Sequence, residues 1–183
     1  MTLAAPEDQP NLLAIAAEAA ERGWKLRLAA PRRLGVWSLR AVVARPLGPD
    51  RAELLGDLKG WAFPRGRMLR LDTLRVQGER NAGAAPLLLA AACAWALEQT
   101  SCRQARFLAI HDDDRQHRRL VRYFRGLGFA PLRELGSTPA DWGPRLLWGG
   151  SGLLMEGDCG ETIRRGARRW RASQSQHLTG HDP

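Results

Sequence analysis

Lysine is almost missing from this sequence. Lys25 and Lys59 are the only two in 183 residues, so the formal net charge of +9 and a pI near 11.0 rest on arginine. Such a balance suits nucleic acid, an anionic lipid or an acidic protein partner, and it equally suits the codon bias of a GC-rich gene. Cysteine is scarce too. Cys93, Cys102 and Cys159 have no metal-ligand spacing, and an odd number argues against a closed disulfide framework, which makes a reducing cytoplasm the expected compartment. No apolar run reaches the ~20 residues that span a bilayer, and residues 1–10 lack the basic start and apolar core of a secretion signal.

What is present suits one domain, with 44% apolar residues in a chain long enough to bury a core without metals or disulfides. The expected organisation is a loose lead-in over 1–10, one domain over 11–157, and an arginine-rich helix with a disordered tail over 158–183. Asn11 caps a predicted helix over 12–22 that Gly23 stops. Strands are predicted over 24–29, 36–45 and 68–76, joined by turns at Pro31 and Pro64-Arg65-Gly66; residues 52–63 read as strand or short helix. Strand, turn, strand, turn, strand implies an antiparallel meander.

Met68 to Val76 alternates, placing Met68, Arg70, Asp72, Leu74 and Val76 on one face. After it comes Arg80-Asn81-Ala82-Gly83-Ala84-Ala85, then Pro86 in the first turn of a helix that continues through Leu97. Free N–H groups and the helix dipole favour an anion at such an N-terminus, and small residues leave room for a phosphate. Leu88, Ala91, Ala92, Trp95 and Ala96 give that helix one face for the sheet, with Trp95 in the core. A strand over 106–110 follows, and strand, helix, strand implies a parallel pair with a right-handed crossover.

The turn fits the pattern Q/R-x-x-G-x-G/A and resembles the pyrophosphate-binding turn of the GNAT superfamily of acyl-CoA-dependent N-acyltransferases. Leu120-Val121-Arg122-Tyr123-Phe124-Arg125-Gly126-Leu127-Gly128-Phe129 is similar to that family's A-x-x-L-Y-x-x-x-G-F ending. The resemblance covers residues 68–129. It implies an α/β (α+β) fold: a mixed, mostly antiparallel twisted sheet with a central parallel strand pair and helices on both faces. It also implies acetyl-CoA or another acyl-CoA as the donor and an amine as the acceptor. Arg80, Asn81, Ala82, Gly83, Ala84 and Ala85 would take the pyrophosphate, and the backbone of Leu74, Arg75 and Val76 the thioester and pantetheine.

Asp72, the only carboxylate on its strand, is the candidate general base. The family's usual tyrosine, which protonates the leaving thiolate, aligns with Phe124, and its usual asparagine with His117. Phenylalanine donates no proton, so Phe124 is left to pack under the pantetheine arm or in the core. Tyr123, the catalytic candidate next door, projects about 100° around the helix and cannot simply replace that tyrosine; a thiol of pKa ~8.5 leaves with little help, from water or another acid. His111-Asp112-Asp113-Asp114 reads as a helix N-cap rather than a metal site, because consecutive residues seldom converge on one ion; no metal is expected. His117, Arg118, Arg119, Arg122 and Arg125 form a solvated basic face.

Short strands are predicted over 131–134, 145–148 and 152–155, and an exposed arginine-rich helix over 161–172. The functional expectation is acyl transfer to an amine. The alternatives are a GNAT-fold binding or regulatory module without turnover, and an arginine-rich nucleic-acid-binding protein; nucleic acid or an acidic protein are the partners the arginines would serve.

Overall fold

The computed structural model describes residues 9–77, 81, 83–110, 114–136, 141–143, 148 and 151–178. Helix α1 (Leu12–Glu21) starts where the Asn11 side chain accepts the Ala14 N–H at 2.7 Å, and Gly23, at φ +75°, turns the chain away. The meander follows as β1 (Lys25–Ala29), the two-residue β2 (Arg32–Arg33), β3 (Val36–Pro46), β4 (Ala52–Phe63) and β5 (Met68–Val76). Residues 52–63 are therefore strand throughout. Two glycines hide the alternation there: a β-carbon at Gly56 would meet Leu88 at 3.2 Å, and one at Gly60 would strike the Arg70 carbonyl.

Helix α2 (Ala84–Gln99) crosses from β5 to β6 (Gln104–Ile110), which pairs with β5 in parallel. Helix α3 (Asp114–Gly126) leads to β7 (Phe129–Leu135). Strand β8 (Gly152–Asp158) then inserts between β6 and β7, antiparallel to both, and helix α4 (Cys159–Leu178) closes the described chain. The sheet order is β1-β3-β4-β5-β6-β8-β7, with β2 on β3. Instead of a strand over 145–148, Trp148 is helical, as are residues 142 and 143, and 145–147 lie outside the described residues.

One register shift matters most. Lys59 pairs with Thr73 and Gly60 with Leu71, so Asp72 is an extra residue on β5, a β-bulge. Beyond it the alternation inverts. Leu69, Leu71, Leu74 and Val76 thus share the face opposite Ala62, Gly60, Leu58 and Gly56, whereas strict alternation separates Leu69 and Leu71 from Leu74 and Val76. Asp72 stays with Arg70 on the other face.

Helix α2 is buried from Ala84 through Ala96, not on one face alone. The sheet covers one side and α4, running antiparallel, covers the other. Gly166 lies so close that a β-carbon would meet the Pro86 carbonyl at 2.8 Å and Ala90 Cβ at 3.2 Å. A helix apolar all round is one packed all round. Accordingly α4 is not the exposed helix expected from its arginines: Ile163, Ala167 and Trp170 are buried, and Arg171 holds Glu18 of α1 through two 2.7 Å bonds. On the second face the indole of Trp148, a helical residue, lies 4.7 Å from the Arg70 guanidinium. The result is a mixed α/β fold: a mostly antiparallel sheet, one parallel pair at its centre, and helices on both faces.

Candidate active site

The parallel pairing of β5 with β6 stops at Leu71 and Phe107, although both strands continue. Past that point β5 stays with β4 and β6 stays with β8, so the two strands part and a cleft opens between them. Its volume is about 750 Å³, and its walls are β5 from Leu71 to Val76, Ala85 and Leu89 of α2, Phe107, Leu108 and Ile110 of β6, and His117, Leu120, Tyr123 and Phe124 of α3. That size suits a small-molecule ligand.

The parting frees backbone groups. Gln77 donates its N–H to the Leu55 carbonyl at 2.9 Å, and the register pairs Arg75 with Asp57 and Val76 with Gly56. Because successive residues alternate their N–H groups across a strand, Arg75 is engaged in the β4 ladder while Leu74 and Val76 direct theirs into the cleft. Of three backbone candidates, two therefore face the opening.

The small-residue turn meets the cleft at the start of α2. Gly83 is the N-cap, with φ −75° and ψ −16°, and no side chain caps the helix. The amides of Ala84 and Ala85 lie in a first turn that has no intrahelical acceptor for them. Asn81 is buried; its amide donates to the Gln77 carbonyl at 2.6 Å and its carbonyl oxygen accepts from Arg45 of β3, which ties Asn81 to both residues. Arg80 and Ala82 lie outside the described residues, as do residues 111–113. Gly83 does not offer its bare face to the cleft: a β-carbon there would meet Ser173 and Trp170 of α4 and Trp24.

Asp72 lines the cleft on the second face. Its Oδ1 accepts from Arg70 Nε at 2.5 Å and its Oδ2 from Trp61 Nε1 at 2.6 Å. Each oxygen keeps a lone pair for a further proton. Arg70 is the neighbour two residues along the same strand face, whereas Trp61 sits on another strand, and only the register brings it opposite Arg70.

On α3, Phe124 is buried in a ring cluster, 3.7 Å between centroids from Phe107 and 5.6 Å from Phe129. Tyr123 also lines the cleft, and its hydroxyl is buried without a hydrogen-bond partner among the described residues. Burial pushes the phenol up to about 12, partly opposed by Arg169, whose guanidinium lies 4.4 Å over the ring. Arg169 comes from α4 and carried no sequence signal for this place. His117 faces the cleft, its Nδ1 3.3 Å from the Ile110 carbonyl. Among the described residues no three His, Cys, Asp or Glu side chains converge as metal donors, and no helix is long and apolar enough to cross a membrane.

No family model and no curated protein matches the chain. Solved structures do. The chain is similar to the crystal structure of nourseothricin acetyltransferase, with a TM-score of 0.50 and 16% identity over 78% of this chain and 94% of that one. A second similar structure is the catalytic domain of Tetrahymena GCN5 histone acetyltransferase in complex with coenzyme A, at a TM-score of 0.47 and 15% identity, covering 71% of this chain and 70% of that one. At such identities the likeness concerns the fold alone.

Proposed function

We propose that the protein transfers an acyl group from an acyl-CoA to an amine by direct attack within the β5–β6 cleft. The observation that carries this reading is the parting of β5 from β6 beyond Leu71 and Phe107, which leaves the Leu74 and Val76 amides facing a cavity flanked by the N-terminus of α2. The residues fit the donor. The first turn of α2 suits its pyrophosphate, Leu74 and Val76 its pantetheine amides, and Leu89, Phe107 and Leu120 an apolar arm. Acyl-CoA supplies an activated thioester carbon.

The amine reaches that carbon from the second face, where Asp72 accepts the ammonium proton directly or through one water. Backbone N–H groups of β5 stabilise the oxyanion that develops at the acyl carbon. At a pKa of about 12 Tyr123 holds its proton more tightly than a thiol of pKa ~8.5 does. Its hydroxyl therefore donates a hydrogen bond to the leaving sulfur and keeps the proton. This gives Tyr123 the stabilising part of the role that Phe124, packed among rings, lacks.

A second reading is favoured by one observation, that both oxygens of Asp72 already accept hydrogen bonds. A module that binds acyl-CoA without turnover needs no free base. Thiol release from acetyl-CoA over a panel of amines separates the two. Release that depends on an amine supports transfer, and binding with no release from any amine supports the module.

A further inference from the structure

The face of β1, β3, β4 and β5 turned away from α1 and α2 is strongly basic. Across the register, Arg27 aligns with Val42, Asp57 and Arg75, and in the adjacent row Ala29 aligns with Arg40, Lys59 and Thr73. Lys25 lies on the same face of β1. Lys25, Arg27, Arg40, Lys59 and Arg75 are all exposed, and none makes an ion pair among the described residues. Other cations are engaged, as at Arg106–Glu156, Arg164–Glu161 and Arg171–Glu18, whereas Arg118, Arg119, Arg122 and Arg125 of α3 likewise make no ion pair among the described residues. Both lysines of the chain stand here. With three strand spacings of about 4.8 Å, the patch is about 14 Å wide, and its edge is the cleft, since Asp72 follows Leu71 between the pairs Gly60–Leu71 and Lys59–Thr73.

We infer that this sheet face docks an acidic polypeptide whose amine is the acyl acceptor, the carboxylates of the peptide lying over Arg27, Arg40, Lys59 and Arg75 while its amine enters at Asp72. The inference rests on the acyl-transfer reading. Charge complementarity selects an anionic partner, and the reaction selects within that class. Nucleic acid has no aliphatic amine to attack a thioester, whereas an acidic peptide carries lysine or an N-terminus. Asp72, the one carboxylate at the cleft edge of the patch, then receives the ammonium that the cations around it repel.

The test compares three fluorescent peptides, each with one lysine in a run of glutamate, of serine or of arginine, using the wild type and the double variant Arg40→Glu/Lys59→Glu. Affinity is read by anisotropy without acyl-CoA, and transfer by thiol release. The expected result is at least ~10-fold tighter binding of the glutamate peptide, falling as salt screens it. The variant loses that preference and raises KM for this peptide with kcat unchanged, and its KM for a small neutral amine stays at the wild-type value. Equal affinity for all three peptides would overturn the inference. So would duplex DNA or phosphatidylserine vesicles binding more tightly than the peptide and being lost in the same variant. If no amine is acylated, the transfer reading fails on its own, while anisotropy still reads the docking.

Discussion

Gly83 and Trp170 touch: a β-carbon on Gly83 would lie 3.0 Å from Trp170 Cδ1. The glycine that opens α2 is thus the place where α4 closes over it. Gly83→Gln is expected to displace α4 and destabilise the protein by ~1–3 kcal/mol, the usual cost of overpacking. Urea denaturation measures it. An unchanged midpoint would mean that α4 does not pack on the turn.

Tyr123→Phe is expected to leave stability near neutral pH unchanged or slightly higher, because it removes a buried hydroxyl that has no partner. In the wild type the folded phenol titrates at about 12 instead of 10, so the unfolded chain releases its proton first. Stability therefore falls as pH rises between those values, by up to ~3 kcal/mol. The variant should lack that fall. Thiol release should slow in it by ~10-fold or more if the hydroxyl supports the leaving sulfur. Equal rates with and without the hydroxyl would remove Tyr123 from the chemistry.

Phe124→Tyr should not restore a proton donor. The ring lies in a cluster with Phe107 and Phe129, so a hydroxyl there is expected to cost ~1–3 kcal/mol of stability with no gain in rate. A faster enzyme of unchanged melting temperature would contradict this.

Asp72→Asn should lower amine-dependent thiol release and leave acetyl-CoA affinity as it was, since the carboxylate stands on the acceptor side of the cleft. Trp61→Phe should move the same rate less, because it removes one hydrogen bond and keeps the base. Equal loss of coenzyme affinity in Asp72→Asn would place the residue in donor binding instead.

Glu18 and Arg171 join α1 to the end of α4. The hydrogen bond from Arg171 holds the Glu18 carboxyl below its usual range. Its contribution to stability is present above the ordinary carboxylate value and is lost as pH falls through the lowered one. Glu18→Gln should flatten that part of the acid-denaturation curve, and an unaltered curve would deny the coupling.

The two runs that carried the resemblance were local. The strand before Gly83, the small residues at the turn, and the glycine stop before Phe129 are each contiguous and declare their own backbone. The rest depended on pairing across distance. Asp72 as a bulge follows from Lys59 and Gly60 pairing past it, which no alternation within β5 reveals. The burial of α4 follows from Gly166 against Ala90, two small residues far apart in sequence, while the arginines around them read as a solvated helix. Trp61 at Asp72 and Arg169 over Tyr123 are likewise products of register and packing.

Acyl-CoA is expected to lie where β5 leaves β6, held by amides of β5 that have no strand partner among the described residues. Val76→Pro removes one of those amides and leaves the Arg75 ladder to β4 intact, since the Val76 N–H points to the cleft. Calorimetric titration of acetyl-CoA into the wild type and this variant measures the contribution of that amide. The predicted result is one site per chain, weakened at least ~10-fold in the variant, the loss of a well-placed hydrogen bond, with an unchanged melting temperature. No binding by the wild type, or equal affinity in both proteins, would exclude acyl-CoA from these amides.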